Sequence, residues 1–364
     1  MKPILLLGAT GFTGKLCAAA LDRLEVPYIL AGRNPDKLQA LQKNCTHAQG
    51  FRQVDVKDPT SLQKGFEDIS VVLSTVGPFR RYGMPVVQAA IKAGAHYVDT
   101  AAEQPFMNSV YNEHHQEALD KNLTLLTGHA CDFTFAYLGA ALADEAVGEM
   151  TRCHSYHGLD PFRPSPGTAV SALEMIKAPY LTYASGQFTK QPRKWRSQAV
   201  DLPGVGNRYH AVPFPGGDTV LLPHHYPALL SCSSDLLLPQ KEAEGFAGFD
   251  FFRPLLSVLT PGFVINQASR LLQNKLPHPT EEERQEGLWH VVVEGGNADK
   301  STRVLIQGND VYGISGACAA LGASWLRQNK ARTAGVTTTG RAFDARAFLK
   351  ELAPLGVTWS LNPA

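Results

Sequence analysis

The first third of the chain repeats one pattern, in which a short strand-like run is followed by a helical segment. Segments 3–9, 28–33, 51–56, 69–76, 96–101 and 123–129 are predicted strands, and helical spacing or helix-start signals separate them. The first run, from Pro3 to Ala9, is apolar without polar alternation, which is typical of a parallel strand covered on both faces. Strands that alternate with helices predict an open parallel sheet with right-handed crossovers, which is a doubly wound α/β fold.

The turn after the first strand is rich in glycine, with Gly8, Gly11 and Gly14 in GxxGxxG spacing within GATGFTG. Such a turn lets the backbone approach a pyrophosphate, and the N–H groups of the following helix then bind it. A purely structural strand-to-helix turn is the alternative, but the position between the first strand and first helix favours a Rossmann-type nucleotide site. The predicted contacts at this turn are Gly8, Thr10, Gly11, Phe12, Thr13 and Gly14.

The end of the second strand indicates which nucleotide binds. NAD-binding chains usually have a carboxylate there for the ribose 2′-OH, whereas this chain reads Ala31-Gly32-Arg33-Asn34, with Lys37 one turn later. Arg33 can form two hydrogen bonds with a 2′-phosphate and stack on adenine, unless it is simply a solvated loop residue. The sequence therefore favours NADP(H) over NAD(H). Asp55, after the third strand, either contacts the adenine or serves as a turn or cap residue.

Ligands of open sheets bind beyond the carboxyl ends of the strands, so the ends of predicted strands four to six should frame the nicotinamide. The predicted cofactor contacts there are Thr75, Val76, Gly77, Pro78 and Phe79. The candidate catalytic residues are Tyr82, Glu103, His129 and Asp132, which could donate or position a proton. For Glu103 and Asp132, capping of the helices that follow them is the alternative role.

Four stretches together resemble a known family: GATGFTG, AGRNPDKL, STVGPFRRYGMPVVQAAIKAGAHYVDTAAE and GHACDFTFAYLGAALADEA. They are similar to the saccharopine dehydrogenase-like oxidoreductases, a group that includes trans-acting enoyl reductases. The resemblance covers residues 1–145 and returns near 310–313 and 334–338. It implies an NADP-binding Rossmann domain, a second α+β domain, and hydride transfer to a carbonyl, imine or enoyl group.

The chain departs from this family where the substrate is expected. Ala102 stands where the family commonly has glycine, Cys131-Asp132-Phe133 replaces the usual phenylalanine-aspartate arrangement, and Thr339 replaces a proline. We therefore keep two functional hypotheses. The first is an NADP(H)-dependent oxidoreductase acting on a small-molecule or acyl-type substrate. The alternative is a catalytically inactive NADP-binding sensor or scaffold protein.

Beyond about residue 150 the strict alternation of strands and helices stops, and we divide the chain into three parts. They are an NADP-binding domain at 1–150, an α+β substrate and dimerisation domain at 151–309, and a C-terminal segment at 310–364 that packs back on the first domain. Within the second, we expect a strand at 151–158, a helix at 168–185, a loop or hairpin at 204–225, and an antiparallel pair at 288–294 and 301–307.

An apolar segment at 246–276 is interrupted by Pro254 and Pro261, so it cannot be a simple spanning helix. It is a core or interface segment, the lining of a long apolar substrate site, or a peripheral membrane contact. Arg270 and Lys275 are too few basic residues to indicate anionic lipid.

Composition and motif searches exclude other classes. Thirty-four Lys and Arg balance thirty-three Asp and Glu, so no basic excess indicates a nucleic-acid partner. The six cysteines are scattered without a CxxC pair, which suits a cytoplasmic protein without a disulfide framework, and the histidine pairs lack a ligand cluster, so no metal is expected. No tyrosine is followed by lysine four residues later, which weighs against a short-chain dehydrogenase. A homodimer is expected by analogy with the fold.

Overall fold

The computed structural model describes residues 1–161 and 163–363, which form two compact units. The first unit comprises Met1–Thr134 and Tyr312–Leu352, and the second comprises Phe135–Val311 and Ala353–Ala364. The strands are β1 (Ile4–Leu7), β2 (Tyr28–Gly32), β3 (Ala48–Gln53), β4 (Val71–Ser74), β5 (His96–Asp99), β6 (Thr124–Leu126), β7 (Arg152–Asp160), β8 (Leu181–Ala184), β9 (Gln187–Lys190), β10 (Gln198–Leu202), β11 (Gly206–Pro213), β12 (Ser231–Pro239), β13 (Leu288–Gly296), β14 (Ser301–Asn309), β15 (Gly335–Val336) and β16 (Thr358–Pro363).

The helices are α1 (Phe12–Arg23), α2 (Pro35–Gln42), α3 (Pro59–Gly65), α4 (Phe79–Lys92), α5 (Gln104–Asp120), α6 (Cys131–Val147), α7 (Pro166–Glu174), α8 (Asp218–His225), α9 (Gln240–Leu259), α10 (Gly262–Lys275), α11 (Glu281–Glu286), α12 (Val311–Arg327), α13 (Thr339–Ala342) and α14 (Ala345–Leu352). Short 3₁₀ helices lie at Met175–Lys177 and Ala353–Leu355. Among the described residues no single helix is both long and apolar enough to cross a membrane, although α9 and α10, bent by 119°, reach that length and composition as a pair.

The first unit is a parallel sheet in the order β15-β6-β5-β4-β1-β2-β3, with helices between its strands. β1 lies between β2 and β4, in register from Ile4 to Leu7 with both, and its four side chains are fully buried. The strand order therefore reverses at β1, and a doubly wound sheet binds ligands at this reversal. The predicted Rossmann-type fold class is confirmed.

Two elements of the first unit lie away from their predicted positions. β3 spans Ala48–Gln53 instead of 51–56, because Val54 and Val56, whose apolar character suggested a strand, are buried in the turn that follows it. As an edge strand, β3 alternates between half-buried and exposed residues. The sequence pattern also predicts a helix over Met84–Ala93, whereas α4 begins five residues earlier, at Phe79, and continues through Pro85, which removes one helical hydrogen bond.

The second unit contains a mixed sheet in the order β10-β11-β12-β7-β13-β14-β16, and β8 joins its side through β12. β12 and β7 are parallel, whereas the other neighbours along this path are antiparallel. The indole of Trp289 on β13 stacks on Phe135 of α6, with ring centroids 4.6 Å apart. A second α+β domain, as predicted, is confirmed.

Several predicted elements of this part differ from the structure. The predicted helix at 168–185 ends at Glu174 and is followed by a 3₁₀ turn and by β8, while the predicted loop at 204–225 contains β11 and α8. β11 is a strand because it pairs with β12, some 25 residues away along the chain, which local patterns do not reveal. The predicted boundary at 150 differs from the observed division at Thr134, since α6 runs from one unit into the other. The predicted segment 310–364 is also divided, because β16 pairs with β14 of the second unit.

Candidate cofactor site

The glycine-rich turn is held tightly against the ends of β1, β2 and β4. Gly8 has a φ of +86°, and its N–H donates to the Ala31 carbonyl at 2.9 Å. A Cβ on Gly8 would lie 2.7 Å from Thr75 Oγ1, and a Cβ on Gly14 would lie 2.2 Å from the Gly8 oxygen. Both positions therefore require glycine, because any side chain would push the turn away from the strands.

The start of α1 fits a phosphate group. Its N-cap is Gly11, which is extended and offers no side-chain hydrogen bond, and no acidic residue lies in the first helical turn. The first N–H groups of a helix lack intrahelical partners and carry the positive end of the helix dipole. Together with the missing Cβ atoms of Gly8 and Gly14, this end of α1 can accept a pyrophosphate at close range.

Arg33 and Lys37 project from the end of β2 and the start of α2. Both side chains are exposed, and the Arg33 guanidinium has no hydrogen-bond or ion-pair partner among residues 1–161 and 163–363. Asn34 caps α2, because its Oδ1 accepts the Lys37 N–H at 2.9 Å. The Asn34 side chain is thus occupied by the helix, while the two cations remain available for a phosphate.

Asp55 has the geometry of a turn residue. Its Oδ1 accepts the Lys57 N–H at 3.0 Å, and its own N–H donates to Ser61 Oγ at 2.9 Å. These contacts correspond to the second of the two roles that the sequence left open. An adenine contact by its other carboxylate oxygen stays a prediction.

The turn after β4 is fixed by contacts with two neighbouring strands. Thr75 Oγ1 donates to the Leu7 carbonyl at 3.1 Å, which ties the end of β4 to the end of β1. Val76 and Gly77 follow, and the Gly77–Pro78 peptide bond is cis. The Phe79 N–H, at the start of α4, donates to Glu103 Oε1 at 3.2 Å. Predicted contacts 75–79 therefore lie on a turn that neighbouring side chains hold in place.

Glu103 is fully buried and acts on a helix other than its own. It occupies the N-cap position of α5 without capping that helix, and its carboxylate instead accepts the first N–H of α4. A carboxylate at a helix N-terminus is stabilised by the helix dipole. This arrangement makes Glu103 a positioning residue for the turn at 77–79 rather than an exposed acid.

His129 lies in the core of the first unit. Its Nδ1 is 2.9 Å from Thr339 Oγ1, its ring meets Phe348 edge to face, and a Cβ on Gly322 would lie 2.3 Å from its Nε2. Burial lowers the pKa of His129 to about 3, because the charged imidazolium cannot be solvated there. The ring is therefore neutral near neutral pH and cannot serve as an imidazolium acid.

Tyr82 and Asp132 are the two candidates whose side chains keep partial exposure. Tyr82 lies in the first turn of α4, directly after the turn at 77–79, and Lys57 Nζ stands 5.6 Å from its ring centroid. Asp132 lies in the first turn of α6. Tyr82 thus combines a proton-carrying group with a position beside the predicted nicotinamide turn.

The sequence prediction missed Asp99 as a structural centre of the site. Its Oδ1 accepts N–H groups from Ala101 at 2.9 Å and Gly128 at 2.8 Å, and the Thr127 hydroxyl at 3.2 Å. Burial raises the pKa of Asp99 to about 6. Asp99 therefore joins the loops after β5 and β6, and the available signal was a single carboxylate at the end of an apolar strand.

The two histidines on β7 have different side-chain partners. His157 is buried with Nε2 3.3 Å from Asp218 Oδ2, whereas His154 is half-buried with Nδ1 2.6 Å from Ser233 Oγ. Within the described part of the chain, no group of three or more His, Cys, Asp or Glu side chains could hold an ion.

Comparison with known proteins identifies the class of the first unit. Residues 4–126 match the family model of the saccharopine dehydrogenase NADP-binding domain. The first unit is therefore an NADP-binding α/β domain, and the prediction of NADP(H) as cofactor is confirmed at the level of this domain.

Relatives extend the resemblance. A saccharopine dehydrogenase-like oxidoreductase from Homo sapiens is 29% identical over 171 residues, which cover 42% of this chain and 40% of the human protein. A trans-acting enoyl reductase from Mycobacterium ulcerans (strain Agy99) is 33% identical over 159 residues, covering 40% of this chain and 38% of that protein. The matched region thus spans less than half of each relative. The chain is thus similar to saccharopine dehydrogenase-like oxidoreductases, and the likeness lies in its NADP-binding unit.

The fold of the whole chain has a solved counterpart. Apo histidine-tagged saccharopine dehydrogenase (L-Glu forming) from Saccharomyces cerevisiae matches with a TM-score of 0.63 and 14% identity, covering 100% of both chains. At this identity the likeness shows a shared fold.

Proposed function

We propose that this protein is an NADPH-dependent reductase that transfers a hydride to a carbonyl, imine or enoyl carbon of a small or lipid-like substrate. The observation that carries the proposal is the exposed, unpartnered Arg33 guanidinium at the end of β2, where no carboxylate stands to hold a ribose 2′-OH. Lys37 adds a second cation on the next helix. Two cations, with no carboxylate at the end of β2 itself, favour a 2′-phosphate, which NADPH has and NADH lacks.

The residues around the reversal at β1 would hold the cofactor in parts. The turn from Gly8 to Gly14 and the start of α1 bind the pyrophosphate, and Arg33 binds the 2′-phosphate. The turn at 77–79 supports the nicotinamide end, and Glu103 keeps this turn in position through the Phe79 N–H. NADPH, when bound, supplies the hydride.

Tyr82 is our candidate for the proton that follows the hydride. Glu103 and His129 are buried, and their side chains already contact the Phe79 N–H and Thr339 Oγ1. Tyr82, in contrast, is a partly exposed side chain in the first turn of α4. A phenol can protonate an enolate or an alkoxide once the hydride has been added. The name of the M. ulcerans relative makes enoyl thioesters the first substrate class to test.

A second candidate function is an NADP-binding sensor or scaffold without turnover. The burial of His129 and the engagement of Glu103 favour it, because they leave few proton donors. Homodimerisation, a cytoplasmic location and the absence of a nucleic-acid partner stay predictions.

Turnover separates the two candidates. NADPH oxidation is followed with a panel of enoyl thioesters, aldehydes and imines, for the wild type, Tyr82→Phe and the control Tyr111→Phe, a half-buried tyrosine on α5. We expect one class to be reduced, with a kcat about a hundredfold lower in Tyr82→Phe and unchanged in the control. Tight NADPH binding without any turnover would refute the reductase and support the sensor.

A further inference from the structure

Helices α9 and α10 of the second unit expose a set of large apolar side chains. We define this outer face by Phe251, Phe252, Leu255, Val258, Leu259 and Phe263. Val258 is 82% exposed, Leu259 66% and Phe263 64%, and all lie close to the bend between the two helices. Isolated apolar residues on a surface are ordinary, but a contiguous group of this size indicates an interaction site.

The inner face of α9 is fixed to the body of the second unit. Its buried positions include Ala243, Ala247 and the ion pair of Arg253 with Asp250, whose Nε and Oδ1 are 2.9 Å apart. The Arg253 guanidinium also donates to the Ala178 carbonyl at 2.6 Å and lies 3.6 Å from the ring centroid of Tyr180. Because one face of α9 is anchored in this way, the outer face is a fixed platform, and α9 cannot be surrounded by lipid as a spanning helix would be.

A basic segment, defined here as residues 190–196, lies directly beside the outer face. The Trp195 ring contacts Phe251 and Phe252, with centroid distances of 5.3 and 5.6 Å. The charged side-chain groups of four exposed residues of this segment have no hydrogen-bond or ion-pair partner in the described part of the chain: Lys190, Arg193, Lys194 and Arg196. In the structure, segment 190–196 therefore supplies positive charge beside 246–276, in addition to Arg270 and Lys275.

The exposed charges of 185–200 and 251–275 are all positive. Neither 185–200 nor 251–275 contains an Asp or Glu. A two-fold dimer through this surface would place the same surface on itself, so its cations would meet no acidic partner. A surface that carries negative charge and accepts apolar side chains is complementary to it, and a bilayer with anionic headgroups has both properties.

We propose that the outer face and the basic segment 190–196 together bind the surface of bilayers that contain anionic lipid. The apolar side chains near the bend enter the headgroup region, and the aromatic cluster of Trp195 with Phe251 and Phe252 lies at the level of the headgroups. The four cations of the segment bind lipid phosphates and carboxylates. This inference goes beyond the reductase proposal and does not depend on turnover.

The test is co-sedimentation of the full-length protein with vesicles of phosphatidylcholine alone or mixed with phosphatidylserine, over a range of salt concentrations. Leu255→Ser/Val258→Ser removes apolar surface, and Arg193→Glu/Lys194→Glu reverses charge. Lys43→Glu/Lys92→Glu makes the same charge change at exposed lysines of the first unit, and Trp359→Ser removes an exposed apolar residue from β16. Circular dichroism and urea unfolding verify that each variant is folded.

We expect the wild type to bind the anionic vesicles, and to bind them more weakly as the salt concentration increases. Leu255→Ser/Val258→Ser and Arg193→Glu/Lys194→Glu should each bind at least about tenfold more weakly than the wild type. The two controls should bind like the wild type. Equal binding to neutral and anionic vesicles would overturn the proposal, as would equal losses in the controls. Absence of vesicle binding, with self-association that Leu255→Ser/Val258→Ser abolishes, would also overturn it and assign the outer face to a second copy.

Discussion

Replacing His129 by glutamine tests whether this residue is part of the core or a proton donor. The pKa of His129 is lowered from an ordinary value of 6.5 to about 3 by burial. Between these values the unfolded chain binds a proton that the folded chain does not bind. The contribution of His129 to stability is therefore complete above 6.5 and is lost as the pH falls toward 3.

The size of the effect follows from the same pKa values. A pH of about 4.5 lies two units below the ordinary pKa of 6.5 and above the folded pKa of about 3. The unfolded histidine is protonated there and the folded one is not, so the folded state loses about 3 kcal/mol of stability. Asp99 acts in the opposite direction, because its pKa is raised to about 6 and the folded chain gains stability as the pH falls through that value. The His129 contribution must therefore be isolated by comparing the wild type with the variant.

The assay is urea unfolding of the wild type and His129→Gln at neutral pH and at about pH 4.5. The wild type should lose about 3 kcal/mol more than the variant between the two conditions. His115→Gln, in the same unit, controls for the removal of a histidine. If the wild type and His129→Gln lose the same stability, or if the variant is stable but has no turnover, the assignment of His129 to the core is wrong.

Two further substitutions test the frame of the cofactor site. Gly14→Ala would place a Cβ 2.2 Å from the Gly8 oxygen. We therefore expect a loss of about 1–3 kcal/mol in stability, measured by urea unfolding, and much weaker NADPH binding, measured by calorimetry. Unchanged NADPH affinity would contradict the close approach of the pyrophosphate to this turn. Glu103→Gln keeps an acceptor for the Phe79 N–H and should retain NADPH affinity, whereas Glu103→Ala should weaken it and cost about 1–3 kcal/mol. Equal affinities in both Glu103 variants would show that the turn at 77–79 does not need this contact.

Much of the first unit could be predicted because its signals are local. A buried parallel strand is apolar along its length, as in β1, and a tight turn before a helix needs glycine at Gly8 and Gly14. Asn34 and Arg33 follow β2 directly, so their places were also evident from the order of residues. β3 was shifted because an edge strand alternates in exposure, while the apolar Val54 and Val56 lie in the turn beyond it.

The roles of the candidate acids could not be predicted because they depend on contacts distant in sequence. His129 is enclosed by Gly322, Thr339 and Phe348, which follow it by about two hundred residues. For Glu103 the sequence left open a catalytic role and capping of its own helix, whereas its carboxylate accepts the N–H of Phe79 on the preceding helix. In the second unit, Trp195 reaches Phe251 only in the folded chain, which is why 246–276 alone gave no indication of a basic neighbour.

Calorimetric titration with NADPH and NADH, for the wild type and Arg33→Ala, measures whether the first unit prefers NADP(H) and whether Arg33 provides this preference. The Arg33 guanidinium is exposed and has no partner among the described residues, so truncation of this side chain should leave stability unchanged. We expect the wild type to bind NADPH much more tightly than NADH, and Arg33→Ala to reduce this preference by about tenfold or more through weaker NADPH binding alone. Binding of neither nucleotide would contradict an NADP(H) site at this turn, and a preference that Arg33→Ala leaves intact would contradict the role of Arg33.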